Sequence, residues 1–135
     1  MELLVDSREQ KRIQVAKEYF TENFDELKTN YTIKVQELKT GDYVFNNQVC
    51  FEYKTQSDFI SSIIDGRVFN EAIRQSETYP YHFVIIQGTN RDRKQALEYA
   101  GSFNLKQYYG AIARLNTYTT VIQSTGITED AFYQM

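Results

Sequence analysis

The chain of 135 residues contains no tryptophan, one cysteine, one proline and one histidine. A single cysteine, Cys50, closes no disulfide within the chain. A stapled secreted scaffold is therefore excluded, and a reducing, intracellular compartment is expected. No apolar run approaches the roughly 18–20 residues that cross a bilayer, so no membrane partner is expected. Residues Met1 to Asp6 lack the basic start and long apolar stretch of a signal peptide. An excess of positive charge is missing as well, since 15 Lys and Arg face 18 Asp and Glu for a net charge of −3. That balance argues against a generally basic nucleic-acid binder. Internal repeats and low-complexity stretches are also lacking.

What is present is ordinary for a folded domain: 41% of residues are hydrophobic and 24% charged. The length suits one domain, 1–135, and hardly two. Eleven Tyr and nine Phe are compatible with amphipathic contact surfaces. Leu3-Leu4-Val5 reads as a first strand ending at Asp6, followed by a polar loop. Ile13, Ala16, Tyr19, Phe20 and Phe24 recur at helical spacing and predict an amphipathic helix. Tyr31 to Leu38, Tyr43 to Phe45 and Val49 to Lys54 predict a three-strand meander, with Asn46-Asn47 as the tight turn of its hairpin. Two helices are expected over about 57–64 and 68–76, broken at Asp65-Gly66. His82 to Ile86 reads as a strand buried on both faces. Residues 91–100 are open between helix and loop. A helix over 105–115 capped by Asn104, a strand over 119–123 and a helix from Thr128 complete the order. The class expected is α/β, a central mixed sheet with helices on both faces.

Chemistry concentrates between Gly41 and Asp58. Glu52 and Lys54 are two apart on one strand and leave the same face, while Phe51 and Tyr53 point to the other. Asp42 begins the hairpin partner, close enough to converge on Glu52. Two converging carboxylates raise each other's proton affinity unless a cation separates them. Hard oxygen ligands of this kind suit Mg²⁺, with Mn²⁺ as a substitute. A lysine beside the ion can position or deprotonate water, which points to metal-assisted hydrolysis of a phosphodiester. Taken alone, an Asp, a Glu and a Lys near a hairpin also describe a plain solvated strand face.

The surrounding residues add specificity. Val5-Asp6-Ser7-Arg8-Glu9, Gly41-Asp42-Tyr43, Glu52-Tyr53-Lys54, Asp58 and Asp65-Gly66-Arg67 stand in one order. Together they resemble the nuclease domain of the XPF–Hef family of structure-specific DNA endonucleases, and Gly110-Ala111-Ile112-Ala113 resembles the segment opening a late helix in archaeal members. The resemblance runs over nearly the whole chain. It implies a restriction-endonuclease-like, PD-(D/E)XK core that cuts branched DNA (flap, fork or junction) using Mg²⁺. Asp42, Glu52 and Lys54 would be catalytic, and Asp6, Glu9, Asp42 and Glu52 would be the metal ligands. Arg8, Arg67 and Arg74 would contact DNA. The family's pairing habit implies a homodimer or heterodimer through this domain. Helix-hairpin-helix and helicase modules are not expected in this chain. A catalytically inactive relative that serves as a DNA-binding or partner-binding scaffold is the alternative, and the intact acidic cluster favours the enzyme.

One departure from the family pattern and several quieter residues remain. The family's central arginine is Tyr53 here, which puts one orienting ion pair in question. Asp58 has two readings, a family acid and a first-turn residue of a helix capped by Thr55. His82 reads as a core position rather than a general base, and Cys50 as a small filler beside the site. The basic clusters Lys11-Arg12 and Arg91-Asp92-Arg93-Lys94 read as solvated ends. Tyr108, Tyr109 and Tyr118 read as core or dimer packing, with base stacking as the sharper alternative.

Overall fold

A computed structural model describes residues 1–28, 30–126, 131–132 and 135. Six strands form one sheet in the order β2-β1-β3-β4-β5-β6, with β1 at Glu2–Asp6, β2 at Thr32–Gln36, β3 at Tyr43–Phe45, β4 at Val49–Thr55, β5 at Tyr81–Gln87 and β6 at Thr120–Ser124. The helices are α1 (Ile13–Glu26), α2 (Gln56–Ile64), α3 (Arg67–Thr78), α4 (Asn90–Tyr99) and α5 (Leu105–Leu115), with a 3-10 turn over Ser7–Arg12. The sheet is mixed: β1 runs antiparallel to β3 and β3 to β4, while β2, β5 and β6 pair in parallel.

One expectation is corrected here. The meander is β1-β3-β4, and β2 does not join β3 but pairs in parallel with β1 at the sheet edge. The reason is α1, a helical crossover between β1 and β2, which returns the chain to run in β1's direction. Only Ile33 of β2 is even half-buried, as an edge strand allows. The undecided stretch at 91–100 is helical, started by a complete capping box between Thr89 and Asp92. The hairpin turn uses positive φ at both Asn46 and Asn47, the combination that matches the twist of its strands. The helix expected from Thr128 begins outside the described residues.

The two sheet faces hold different cores. Tyr43, Phe51, Tyr53 and Ile85 face α1, where they pack with Phe20, Phe24 and Phe132. Val84 and Ile86 face the other way, into Phe59 and Ile60 of α2, Val68 and Ala72 of α3, and Tyr108, Ala111 and Leu115 of α5. Helices therefore cover both faces, as expected. No helix among the described residues is long and apolar enough to cross a membrane.

Candidate active site

The hairpin start is set by backbone geometry. Gly41 has φ +84°, and a Cβ there would run into Cys50 Sγ, so only glycine fits. The next residue ties three strands together. Asp42 N–H donates to Phe51 O at 2.9 Å, its carbonyl accepts from Asp6 N–H at 2.8 Å, and its Oδ2 accepts from Tyr53 N–H at 2.7 Å. Its Oδ1 accepts no hydrogen bond among the described residues. Asp42 is thereby fixed at the junction of β1, β3 and β4.

Beside it lies a pocket of about 480 Å³. Asp6, Glu9, Asp42, Glu52 and Lys54 line it, and so do Arg8, Arg67 and Arg74, so the structure brings all eight expected site residues around one opening. Asp58 lines it too. Thr55 Oγ1 accepts from Asp58 N–H at 3.2 Å, but the Asp58 carboxylate makes no return bond, so half of the expected capping box forms. His82 and the Arg91–Lys94 cluster do not line the pocket. His82 Nδ1 lies 3.0 Å from Thr119 Oγ1, and burial lowers its proton affinity, in keeping with a structural position. Burial pushes the Cys50 thiol up to about 12, so it stays protonated and inert. Tyr108 is fully buried, its hydroxyl donating to Gln56 Oε1 at 2.8 Å, whereas Tyr109 is exposed.

The acids differ in their partners. Asp6 Oδ2 sits 2.9 Å from Arg8 Nε, and Oδ1 accepts from Leu38 N–H at 3.2 Å. Glu9 accepts a forked pair from Arg12 at 2.7 and 3.1 Å and a bond from the Tyr43 hydroxyl at 3.0 Å. The Arg12 guanidinium also lies 4.0 Å over the Tyr53 ring. Arg12, read from sequence as part of a solvated basic cluster, is thus partly buried at the site; an orienting ion pair exists, with the cation supplied from the 3-10 turn and Tyr53 serving as its platform. Burial works against the charged Arg12, and the Glu9 fork outweighs it.

Asp42 and Glu52 carry the electrostatic strain. Burial raises Asp42 well above the usual carboxylate range, helped by the charges of Glu52 and Glu9. Burial pushes Glu52 up to about 7; Lys54 pulls it back, while Glu71, Glu9 and Asp6 push it further. Among the described residues no group of three or more His, Cys, Asp or Glu side chains is arranged to hold a metal ion. Asp6 and Glu9 are instead paired with Arg8 and Arg12. Asp42 and Glu52 remain beside the open pocket as hard oxygen donors whose mutual repulsion Lys54 offsets only in part, which suits a small divalent cation.

Lys54 Nζ lies 3.8 Å from Glu52 Oε1 and 3.1 Å from Glu71 Oε2. Sequence reasoning missed Glu71. Its signal was helical spacing, since Arg67, Glu71 and Arg74 fall at i, i+4 and i+7 on α3 and share the pocket-lining face.

Known proteins resemble this chain over most of its length. Residues 5–131 match the ERCC4 domain. Over 67 residues the chain is 30% identical to the 3'-flap repair endonuclease Xpf of Saccharolobus solfataricus, covering 50% of this chain and 29% of that protein. It is 30% identical over 70 residues to the DNA repair endonuclease XPF of Drosophila melanogaster, covering 52% of this chain and 7% of that protein. The chain thus spans less than a third of these relatives. Among solved structures, XPF from Aeropyrum pernix in complex with DNA superposes with a TM-score of 0.68 at 27% identity, covering 98% of this chain and 60% of that chain. A structure described as XPF from Aeropyrum pernix gives 0.70 at 25% identity, covering 98% and 61%.

Proposed function

The chain belongs to the ERCC4 domain family and has the restriction-endonuclease-like fold of the XPF nuclease domain, and on that footing we propose that it is a metal-dependent endonuclease acting on branched DNA. One observation carries the reading: Asp42, Glu52 and Lys54 meet at a single pocket rimmed by Arg8, Arg67 and Arg74. The relatives' names, a 3'-flap repair endonuclease and a DNA repair endonuclease, support the substrate class.

Asp42 and Glu52 would hold a Mg²⁺ or Mn²⁺ ion, with Asp6 and Glu9 supporting the acidic cluster. When bound, the ion stabilises negative charge on the scissile phosphate and acidifies water. The chain's own groups do the rest. Arg8, Arg67 and Arg74 hold the phosphodiester backbone at the mouth of the pocket. Lys54, with its charge offset by Glu52 and Glu71, orients the attacking water. The water oxygen forms a new bond to phosphorus, the bond to one bridging oxygen breaks, and that oxygen leaves with a proton. Pairing with a second nuclease chain belongs to the same proposal and is supported by the exposed Leu105 and Tyr109 on α5.

The test is cleavage of end-labelled flap, fork and plain duplex DNA with Mg²⁺ or Mn²⁺. The wild type is expected to cut near the branch, and Glu52→Gln and Lys54→Ala to lose at least about a hundredfold of that rate. Unchanged cutting by Glu52→Gln removes the site assignment. A wild type that binds flap DNA and cuts nothing favours the scaffold alternative.

A further inference from the structure

We propose that Glu71 is the positioning residue that holds Lys54 for the reaction, an inference that rests on the endonuclease reading above. Lys54 Nζ is nearer to Glu71 Oε2, at 3.1 Å, than to Glu52 Oε1, at 3.8 Å. The closer anchor of the site lysine is therefore on the covering helix rather than on its own strand. Glu71 Oε2 is buried without a hydrogen bond, and the Lys54 ammonium is the charge that compensates it. Its other oxygen, Oε1, lies 3.7 Å from Arg67 Nε. One carboxylate thus sits between the site lysine and a candidate phosphate-binding arginine.

The anchor is rigid. Val68 and Ala72, on either side of Glu71, are buried against β5. One turn further on, Gln75 Nε2 donates to Phe83 O and Cys50 Sγ, both at 3.2 Å, which ties α3 to β5 and β4. A lysine on a flexible four-carbon stem gains a defined position only where a fixed group meets its ammonium. Glu52 cannot fill that role alone if it also serves as an ion ligand.

The cost of Glu71 makes the same point. The pocket already contains Asp6, Glu9, Asp42 and Glu52, and a further carboxylate on its wall repels the phosphates that Arg67 and Arg74 would attract. The i,i+4 pair with Arg67 accounts for Oε1 alone; among the described residues the buried Oε2 is met only by Lys54.

The test compares wild type, Glu71→Ala, Glu71→Gln and Arg67→Ala on a labelled flap, with thermal melting as a folding control. In Glu71→Ala kcat is expected to fall about 10–100-fold, the usual range for losing an outer support of a site. KM, and flap affinity measured in chelating buffer, should stay within about threefold. Glu71→Gln keeps a polar atom at the same reach but loses the charge, and should recover part of the kcat lost in Glu71→Ala. Arg67→Ala should act mainly on KM. A kcat for Glu71→Ala within about threefold of wild type, equal losses in Ala and Gln, or a loss confined to KM overturns the proposal.

A second readout needs no catalysis. In the DNA-free, metal-free protein, Lys54 acetylation by an N-hydroxysuccinimide ester, followed by mass spectrometry, should be several times faster in Glu71→Ala than in wild type, with Glu71→Gln between the two. Equal labelling rates overturn the anchor. A wild type that cuts no DNA overturns the endonuclease reading and Glu71's catalytic role with it, and labelling then reports the anchor by itself.

Discussion

β4 and β5 run side by side in parallel, with Glu52 opposite Val84 and Lys54 opposite Ile86. The two strands lie about 4.8 Å apart and show the same sheet face to the same layer of helices. On β5 that face is closed and apolar: Val84 and Ile86 are buried among Phe59, Val68, Ala72 and Leu115. On β4 it carries a carboxylate and an ammonium at the floor of a pocket. The difference comes from α3 above them. It turns Val68 and Ala72 toward β5 and Glu71 toward β4, while Gln75 bonds to both strands. A buried charge survives on β4 because the covering helix supplies its counter-charge and the pocket admits water. The same charge one strand over would have neither.

The largest effect should come from the apolar member of the pair. Ile86→Ala removes packing from a fully enclosed position and is expected to cost about 2–5 kcal/mol in urea unfolding. A loss below about 1 kcal/mol would mean that this face of β5 is not close-packed, and the contrast with β4 would fail.

Glu52→Gln should move stability in the opposite direction. Folding raises Glu52 from the ordinary range to about 7, chiefly by burial. A carboxyl raised in this way contributes stability that is fully present below its unfolded-state value and is lost as pH climbs through about 7. In chelating buffer the wild type should therefore weaken between about pH 5 and 8, by at most about 3 kcal/mol from this group. Glu52→Gln should flatten that slope and be the more stable protein at pH 8. A residual slope is expected, because Asp42 is raised in the same sense. Identical pH slopes for wild type and variant would show that Glu52 is not confined as described.

These residues also show where sequence reading stops. The alternation of β4 separates Glu52 and Lys54 from Phe51 and Tyr53, because side-chain direction along a strand is a local property. The Gly41-Asp42 pair is legible as punctuation before β3, and its left-handed backbone pressed against Cys50 is the physical reason that glycine stands there. Partnerships that depend on tertiary placement are not legible. β2 pairs with β1 only because α1 returns the chain, and no local pattern separates that from a meander. Arg12 reaches Tyr53 because the 3-10 turn kinks at Gln10, whose φ is +37°, before α1 begins. Glu71 reads as one more polar residue on an amphipathic helix until Lys54 is seen beneath it.

The smallest predicted effect concerns the end of β4, where Thr55 lies opposite Gln87 and α2 begins. Thr55 Oγ1 caps Asp58 N–H at 3.2 Å, but Asp58 gives no bond back. Two residues past the end of β5 the same motif is complete, with Thr89 capping Asp92 N–H at 3.1 Å and Asp92 Oδ2 accepting from Thr89 N–H at 2.7 Å. That backbone bond, followed by the Thr89 hydroxyl, lowers the proton affinity of Asp92. Thr55→Ala should therefore cost about 1 kcal/mol, as loss of a single cap does. Asp58→Ala should lower the melting temperature less than Asp92→Ala, since only Asp92 completes its box. Asp58 lines the pocket, so its removal should register in flap affinity or cleavage before it registers in stability. Equal melting shifts for the two aspartates, with cleavage untouched by Asp58→Ala, would return Asp58 to the role of a helix-start residue and leave the pocket without it.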